Sequence, residues 1–285
     1  MRGLAGLLMQ GRWQPVLFMG VTTLVPLLAW LGGAALALVT LRRGPLEGFV
    51  TMAAASLALG VGLAAMGANP VVSALGVLEY WGPVYVLAWV LRVTVSLPLA
   101  MMASAAMAAV VLVGWHVLVT DPVAFWERSL GPLAQGENAT GMMEALLPVM
   151  SGYWVLGLWS LVLGSLLLGR WWQALLYNPG GFRAEFHALR LDWRLGAAAL
   201  AAMLGATFTG PGLVHDLSLL ASGVFTIQAL AVAHGLRAVT GWHRAVLIPV
   251  YVLLPFLFKL YALAGIADTW FDLRARWRHS SGSGG

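Results

Sequence analysis

RWWQALLYNPGGFRAEFHALRLDWR, Arg170 to Arg194, separates two long apolar blocks and gathers Arg170, Arg183, Arg190 and Arg194 beside tryptophans, phenylalanines and a Pro-Gly-Gly turn. In a chain that is elsewhere nearly continuous hydrocarbon, such a segment marks one membrane surface. Basic residues are retained on the cytoplasmic side of spans, and Trp and Tyr settle at the interface. The composition agrees: 60% hydrophobic, 9% charged and a mean hydropathy of +0.85 exclude a soluble domain, which carries roughly 25% charged residues.

Outward from this segment the apolar blocks run Pro15–Leu41, Phe49–Met66, Val71–Leu91, Val95–Val119, Val149–Gly169, Leu195–Thr209, Leu213–Leu236 and Ala245–Ile266. A span takes about 20 apolar residues, so the expected fold is all-α: a polytopic transmembrane helix bundle of about 7–9 membrane segments. The blocks are continuous rather than alternating, which excludes a membrane barrel. As one helix the first block would be about 40 Å long. It carries Pro26 and Gly32-Gly33 in its middle, so a break or re-entrant hairpin is expected there. Residues 1–279 read as a single integral membrane domain with an acidic outer loop at 120–147 and a cytoplasmic amphipathic segment at 170–194. Ser280 to Gly285 (SSGSGG) read as an appended linker. The first segment reads as an anchor rather than a cleaved signal, because Arg42-Arg43 and more membrane follow it. The C-terminus leans to the cytoplasm, since Arg274, Arg276 and Arg278 outweigh Arg237 and Arg244.

Within the opening segment, Tyr177-Asn178-Pro179-Gly180-Gly181 reads as a turn that ends the emerging helix. Phe182, Phe186, Leu189 and Trp193 then recur at i, i+4, i+7 and i+11, an apolar stripe on a helix whose other faces carry Arg183, His187, Arg190 and Asp192. Arg170, Trp171, Trp172, Tyr177, Phe182, Arg183, Phe186, His187 and Arg190 are therefore the candidates for contact with anionic lipid headgroups or a cytoplasmic protein partner.

Ionisable residues within apolar blocks mark candidate sites, because burying one is costly unless it is paired or hydrated. Glu79 sits in Leu78-Glu79-Tyr80-Trp81 near Pro83, either as a midspan carboxylate or at an interfacial break; His116 lies near the end of its block. His215 and Asp216 follow Gly210-Pro211-Gly212, where Asp216 can also serve as a helix cap. Glu79, Tyr80, Trp81, His116, His215 and Asp216 are the candidate small-molecule ligand set. His234 lies deeper, and Lys259 can snorkel. No catalytic constellation emerges. The absence of cysteine removes thiolate metal sites and a cysteine nucleophile, no H-E-x-x-H occurs, and no phosphate-binding GxxxxGK[ST] loop occurs. No metal, cofactor or nucleic-acid role is expected, and ATP-driven work would need a separate subunit. Asn138-Ala139-Thr140 is a weak glycosylation match. Ser56/Gly60, Ala58/Gly62, Ala105/Ala109, Ala198/Ala202 and Ala201/Gly205 are small pairs at helical spacing, suited to internal packing or, in an oligomer, to an intermolecular seam.

Three segments carry a resemblance: Leu41-Arg42-Arg43-Gly44-Pro45 through Gly48, Arg170 through Arg183, and Gly265-Ile266-Ala267-Asp268-Thr269-Trp270-Phe271-Asp272-Leu273-Arg274. With them the chain resembles the YybS-like family of bacterial membrane proteins over nearly its whole length. That family is distantly similar to the S components, the substrate-binding membrane subunits of energy-coupling-factor transporters. The resemblance implies a bacterial inner-membrane protein that binds a small molecule between helices, has no ATPase of its own, and couples through cytoplasmic contacts. The alternatives from the residues themselves are a non-catalytic scaffold docking a partner through 170–194, and a lipid-handling protein.

Overall fold

A computed structural model describes residues 1–131 and 137–282, without the side chains at 26, 70, 72–75, 77, 137–140 and 278–282. The side chains of the Asn138–Thr140 sequon therefore lie outside the described residues. Every regular element among the described residues is helical. Four helices are long and apolar enough to cross a membrane: Pro45–Ala65, Leu97–Leu118, Gly141–Tyr177 and Leu213–Thr240. The chain divides into two compact units, residues 1–104 with 158–185 and residues 105–157 with 186–285.

In the first unit, a short α1 (Arg2–Leu8) leads into α2 (Trp13–Thr23) and α3 (Ala29–Arg43), with one 3-10 turn at Pro26–Leu28 between the last two. The first apolar block is thus a helical hairpin, and α2 packs on α3. The break falls at Pro26, whose missing N–H and fixed φ stop a helix. Gly32-Gly33 do not break it but lie inside α3, where close approach needs them. A Cβ on Gly32 would stand 2.7 Å from the Thr22 hydroxyl, and one on Gly33 would stand 2.6 Å from the Tyr80 hydroxyl. At the far end of α3, Gly44 takes a positive φ of 107° and Pro45 opens α4 (Pro45–Ala65), the order that glycine's freedom and proline's fixed φ favour.

Arg43 donates to the carbonyls of Met9 and Gly11, both at 2.9 Å, which ties the α1–α2 turn to the α3–α4 corner. Next, α5 (Pro70–Thr94) runs unbroken through Pro83, so of the two alternatives for Glu79 the interfacial break is not the one formed. Proline instead leaves the Glu79 carbonyl without its helical donor, a defect that a packed helix can tolerate. The start of α6 (Leu97–Leu118) and the part of α9 (Met150–Tyr177) beyond Leu158 complete this unit. Gly169 of α9 lets the Ala34 carbonyl and the Ala37 methyl of α3 approach so closely that no Cβ would fit.

The second unit contains the rest of α6, then α7 (Pro122–Leu130) and α8 (Glu137–Leu146) in the acidic loop, and the start of α9. Asp121 caps α7 by accepting from the Ala124 N–H at 2.9 Å. After α10 (Gly181–His187), whose last two residues open this segment of the unit, come α11 (Trp193–Gly205), α12 (Leu213–Thr240), α13 (Leu247–Leu253), α14 (Phe258–Phe271) and α15 (Leu273–Gly282). The spine is α12, with 67% of its apolar window buried against 28% in α4; α11 and α14 both pack on it. Gly265 brings α14 onto the Phe225 carbonyl of α12 with no room for a side chain. Gly32, Gly33, Gly169 and Gly265 are thus among the glycines that make close contacts. Gly60 and Gly62, from the small pairs singled out by spacing, meet open space.

Two expectations are corrected. The stripe Phe182, Phe186, Leu189, Trp193 does not lie on one helix: α10 stops at His187, and Trp193 begins α11 after Asp192 caps it in extended conformation, its carboxylate accepting from the Arg194 N–H at 2.8 Å. The block Ala245–Ile266 is likewise two helices, interrupted between Leu253 and Phe258 around Pro255.

Candidate functional site

The corner after α3 and the end of α9 enclose a cavity of about 420 Å³ lined by Arg42, Arg92 and Arg170 together with Gln173, Tyr177, Asn178 and Glu185. Helix geometry explains why arginines collect here. Leu41 lies in the last turn of α3, where carbonyls have no helical donor, and Arg92 from the last turn of α5 donates to its oxygen, with the Gln173 amide at 3.4 Å from the same atom. Cations at helix C-termini are further favoured by the helix dipole. Arg170 is committed internally: its Nε donates to Glu185 at 3.0 Å, a second N–H meets the other oxygen of that carboxylate, and a third reaches the Gln173 carbonyl at 3.0 Å. Arg42 lies over the Tyr177 ring with its guanidinium carbon 4.1 Å from the centroid, a cation–π arrangement that fixes the plane but leaves the N–H groups open.

Three arginines against one glutamate leave two uncompensated positive charges around the cavity. Arg42 and Arg92 are exposed and have no carboxylate partner among the described residues. Their free donors, with the Asn178 amide and the Tyr177 hydroxyl on the wall, suit an oxyanion. Two of the three segments quoted from the sequence, Leu41-Arg42 and Arg170 through Asn178, meet in this one place.

The third segment builds something different, in the second unit. Asp268 is wholly buried and Arg274 is 6% exposed. One Asp268 oxygen accepts from Arg274 at 2.7 Å and from the Gln228 amide at 3.1 Å; the other accepts from the Leu273 N–H at 3.0 Å. Arg274 also donates to the His187 carbonyl at 2.7 Å, and Gln228 accepts from the Leu191 N–H at 3.0 Å. Beside them Arg190 donates to Asp272 and to the Thr269 carbonyl, each at 2.9 Å. Asp272 sits at φ 43°, in the left-handed C-cap of α14, a conformation short Asp side chains accept. Every charge here is answered, so the network locks residues 187–192 and the α14–α15 turn onto α12.

These observations redistribute the docking candidates. Arg170 and Arg190 serve internal ion pairs, and Trp172 is fully buried with its indole N–H unpartnered among the described residues. His187 gives its carbonyl to Arg274. Trp171, Phe182 and Phe186 are half-buried, the Phe186 ring lying edge-on to His234 at 5.9 Å. Arg183 is exposed, and Tyr177 is 44% exposed on the cavity wall.

The ligand candidates also separate. Glu79 is exposed on α5. Tyr80 is held 2.5 Å from Ser165, whose hydroxyl hydrogen goes to the Trp30 carbonyl at 2.8 Å, so Tyr80 is the donor in their bond. Trp81 is buried, and its indole N–H has no partner among the described residues. In the second unit, His116 Nε2 lies 2.9 Å from Asp216 Oδ2, and His215 Nδ1 lies 3.6 Å from Oδ1. Asp216 is 1% exposed and does not cap α12, whose N-cap is Gly212. Its other wall is Gly152, where a Cβ would collide with the carboxylate. Nearby, Ser151 accepts from the Trp115 and Trp126 indoles, each at 2.9 Å, within a cluster that also holds Trp154 and Phe125. Among the described residues no group of three or more His, Cys, Asp or Glu is arranged to hold a metal. The candidate site residues read from the sequence did not include Arg42, Arg92, Gln173, Asn178 and Glu185 of the cavity or Gln228, Asp268 and Arg274 of the lock. The helix-end position of Arg92 was the available signal for the first group.

No family model, curated protein or solved structure matches the chain.

Proposed function

We propose that the chain is a polytopic protein of the bacterial inner membrane that binds an anionic, phosphate-bearing group in the Arg42–Arg92–Arg170 cavity. The carrying observation is the two uncompensated positive charges on a polar cavity of about 420 Å³, a size ordinary for small-molecule sites. A phosphate monoester brings about −1.5 to −2 charges at pH 7 and three strong acceptor oxygens. Arg42 and Arg92 bind it, Tyr177 orients Arg42, and the Arg170–Glu185 pair sets the cavity's far wall. On this reading the bundle makes seven to nine crossings in the manner of an S component, and any energy input comes from a separate subunit.

The test has two arms. Soluble binding is measured by calorimetry with glycerol 3-phosphate, and lipid binding by comparing nanodiscs of phosphatidylglycerol with nanodiscs of phosphatidylcholine. Tighter binding of glycerol 3-phosphate identifies a free solute, and preference for phosphatidylglycerol identifies a headgroup. In either case Arg42→Gln with Arg92→Gln lowers affinity by about a hundredfold or more, as two charge-assisted contacts worth roughly 1.5–3 kcal/mol each require, and added salt weakens the wild type. An unchanged affinity in both arms overturns the reading. The exposed Arg183 keeps a second reading, cytoplasmic docking, and Arg183→Ala separates the two: it abolishes partner capture on that reading and leaves ligand affinity unchanged on the first.

A further inference from the structure

Lys259 is the only lysine in the chain and the only charged residue between Ala245 and Ile266. It is exposed, and among the described residues it has neither an ion pair nor a hydrogen-bond partner. Isolated ammonium groups on apolar walls are costly unless they reach water or an anion. Its surroundings are set by the interruption of the last apolar block. Pro255 stops α13, the chain re-forms a helix at Phe258, and the gap opens a groove of about 540 Å³ within the second unit. The wall is Leu156, Leu219, Phe256, Leu257 and Leu260, with Tyr153 and Lys259 as its polar groups. Phe256 is 80% exposed and Leu260 59%.

The groove is preformed rather than a product of loose chain. Tyr261 of α14 donates back across the interruption to the Val250 carbonyl at 2.8 Å, and Thr226 of α12 reaches the Phe258 carbonyl at 3.4 Å. A rigid apolar trough with one unanswered cation at its lip has the charge pattern opposite to that of an anionic amphiphile. A protein segment would need acidic and apolar groups in matching order and would leave its own backbone to be satisfied in an apolar setting. A phospholipid presents a phosphate and a chain without backbone donors. Lysine rather than arginine fits this use, since a compact charge on a flexible stem follows a headgroup without imposing fork geometry.

We infer that this groove seats one anionic phospholipid, its phosphate on the Lys259 ammonium, with the Tyr153 hydroxyl as second donor, and an acyl chain along Leu156, Leu219 and Phe256. This site is independent of the Arg42–Arg92–Arg170 cavity and uses none of its residues.

The experiment is native mass spectrometry of the whole protein released from nanodiscs that contain phosphatidylglycerol and phosphatidylcholine in equal amounts. With the arginine cavity disabled by Arg42→Gln and Arg92→Gln, so that any headgroup it holds is not counted, the protein retains one phosphatidylglycerol in preference to phosphatidylcholine. Lys259→Gln lowers that adduct about fivefold, the factor expected for one basic residue near a membrane surface, and Lys259→Arg retains most of it. Leu156→Trp, which fills the trough and leaves the lysine in place, removes the adduct as well. The cavity is disabled in every variant compared, so failure here is distinguishable from failure of the cavity reading. Equal retention of the two lipids, or an unchanged adduct in both Lys259→Gln and Leu156→Trp, overturns the inference.

Discussion

Arg274 and Arg92 each spend an N–H on a helix-end carbonyl, His187 for one and Leu41 for the other, yet their surroundings are opposite. Arg274 is buried against Asp268, whose other lone pairs are taken by Gln228 and Leu273. Arg92 is exposed, has no carboxylate partner among the described residues, and faces a cavity shared with Arg42. A buried guanidinium persists only with its charge and hydrogen bonds satisfied, so the first arrangement is closed and has nothing left to offer a ligand. The second keeps donors free at tolerable cost because water reaches them. Counting arginines does not distinguish a lock from a site; counting the carboxylates that answer them does.

Breaking the lock gives the largest expected effect. Asp268→Ala strands the Arg274 charge in the interior and also releases Gln228 and the Leu273 N–H, so stability falls by about 3–5 kcal/mol, the range for removing one partner of a buried pair. Thermal unfolding of the detergent-solubilised protein reads it, and a loss under about 1 kcal/mol would mean that the network is not closed. Arg92→Ala comes next. It removes the side-chain donor nearest the Leu41 carbonyl in a position that water reaches, and costs about 1 kcal/mol. If its cost matched that of Asp268→Ala, the contrast between the two guanidinium sites would be lost.

Legibility follows the same division. Apolar runs of membrane length and the break at Pro26 were readable because each depends on residues close together in sequence. The helical stripe through Trp193 was misread for a physical reason. Periodicity continued across 188–192, but Arg190 and the Leu191 N–H are claimed by Asp272 and Gln228, and Asp192 caps the next helix. Asp192 before Trp193 was the visible warning, since Asp favours caps over helix interiors. Partners such as His116 and Asp216, 100 residues apart, follow no local period. Nor do Arg42, Arg92 and Arg170, which come together only because three helices end near one another, and so the cavity was not legible even though two of its lining segments stood out.

Arg42→Gln carries the smallest effect on folding and the sharpest test of the contrast. Arg42 is exposed, makes no ion pair among the described residues, and contributes a stack on the Tyr177 ring at 4.1 Å. Substitutions away from buried pairs and caps change stability by no more than about 0.5 kcal/mol, so its unfolding temperature should match wild type within error. A guanidinium kept in place by an aromatic plane and left free at its N–H edge is of little use to the fold. Its effect should therefore appear in binding, as reduced affinity for glycerol 3-phosphate or a phosphatidylglycerol headgroup at low salt. Loss of stability without loss of binding would make Arg42 a structural residue like Arg274, and the distinction between answered and unanswered arginines would no longer locate the site.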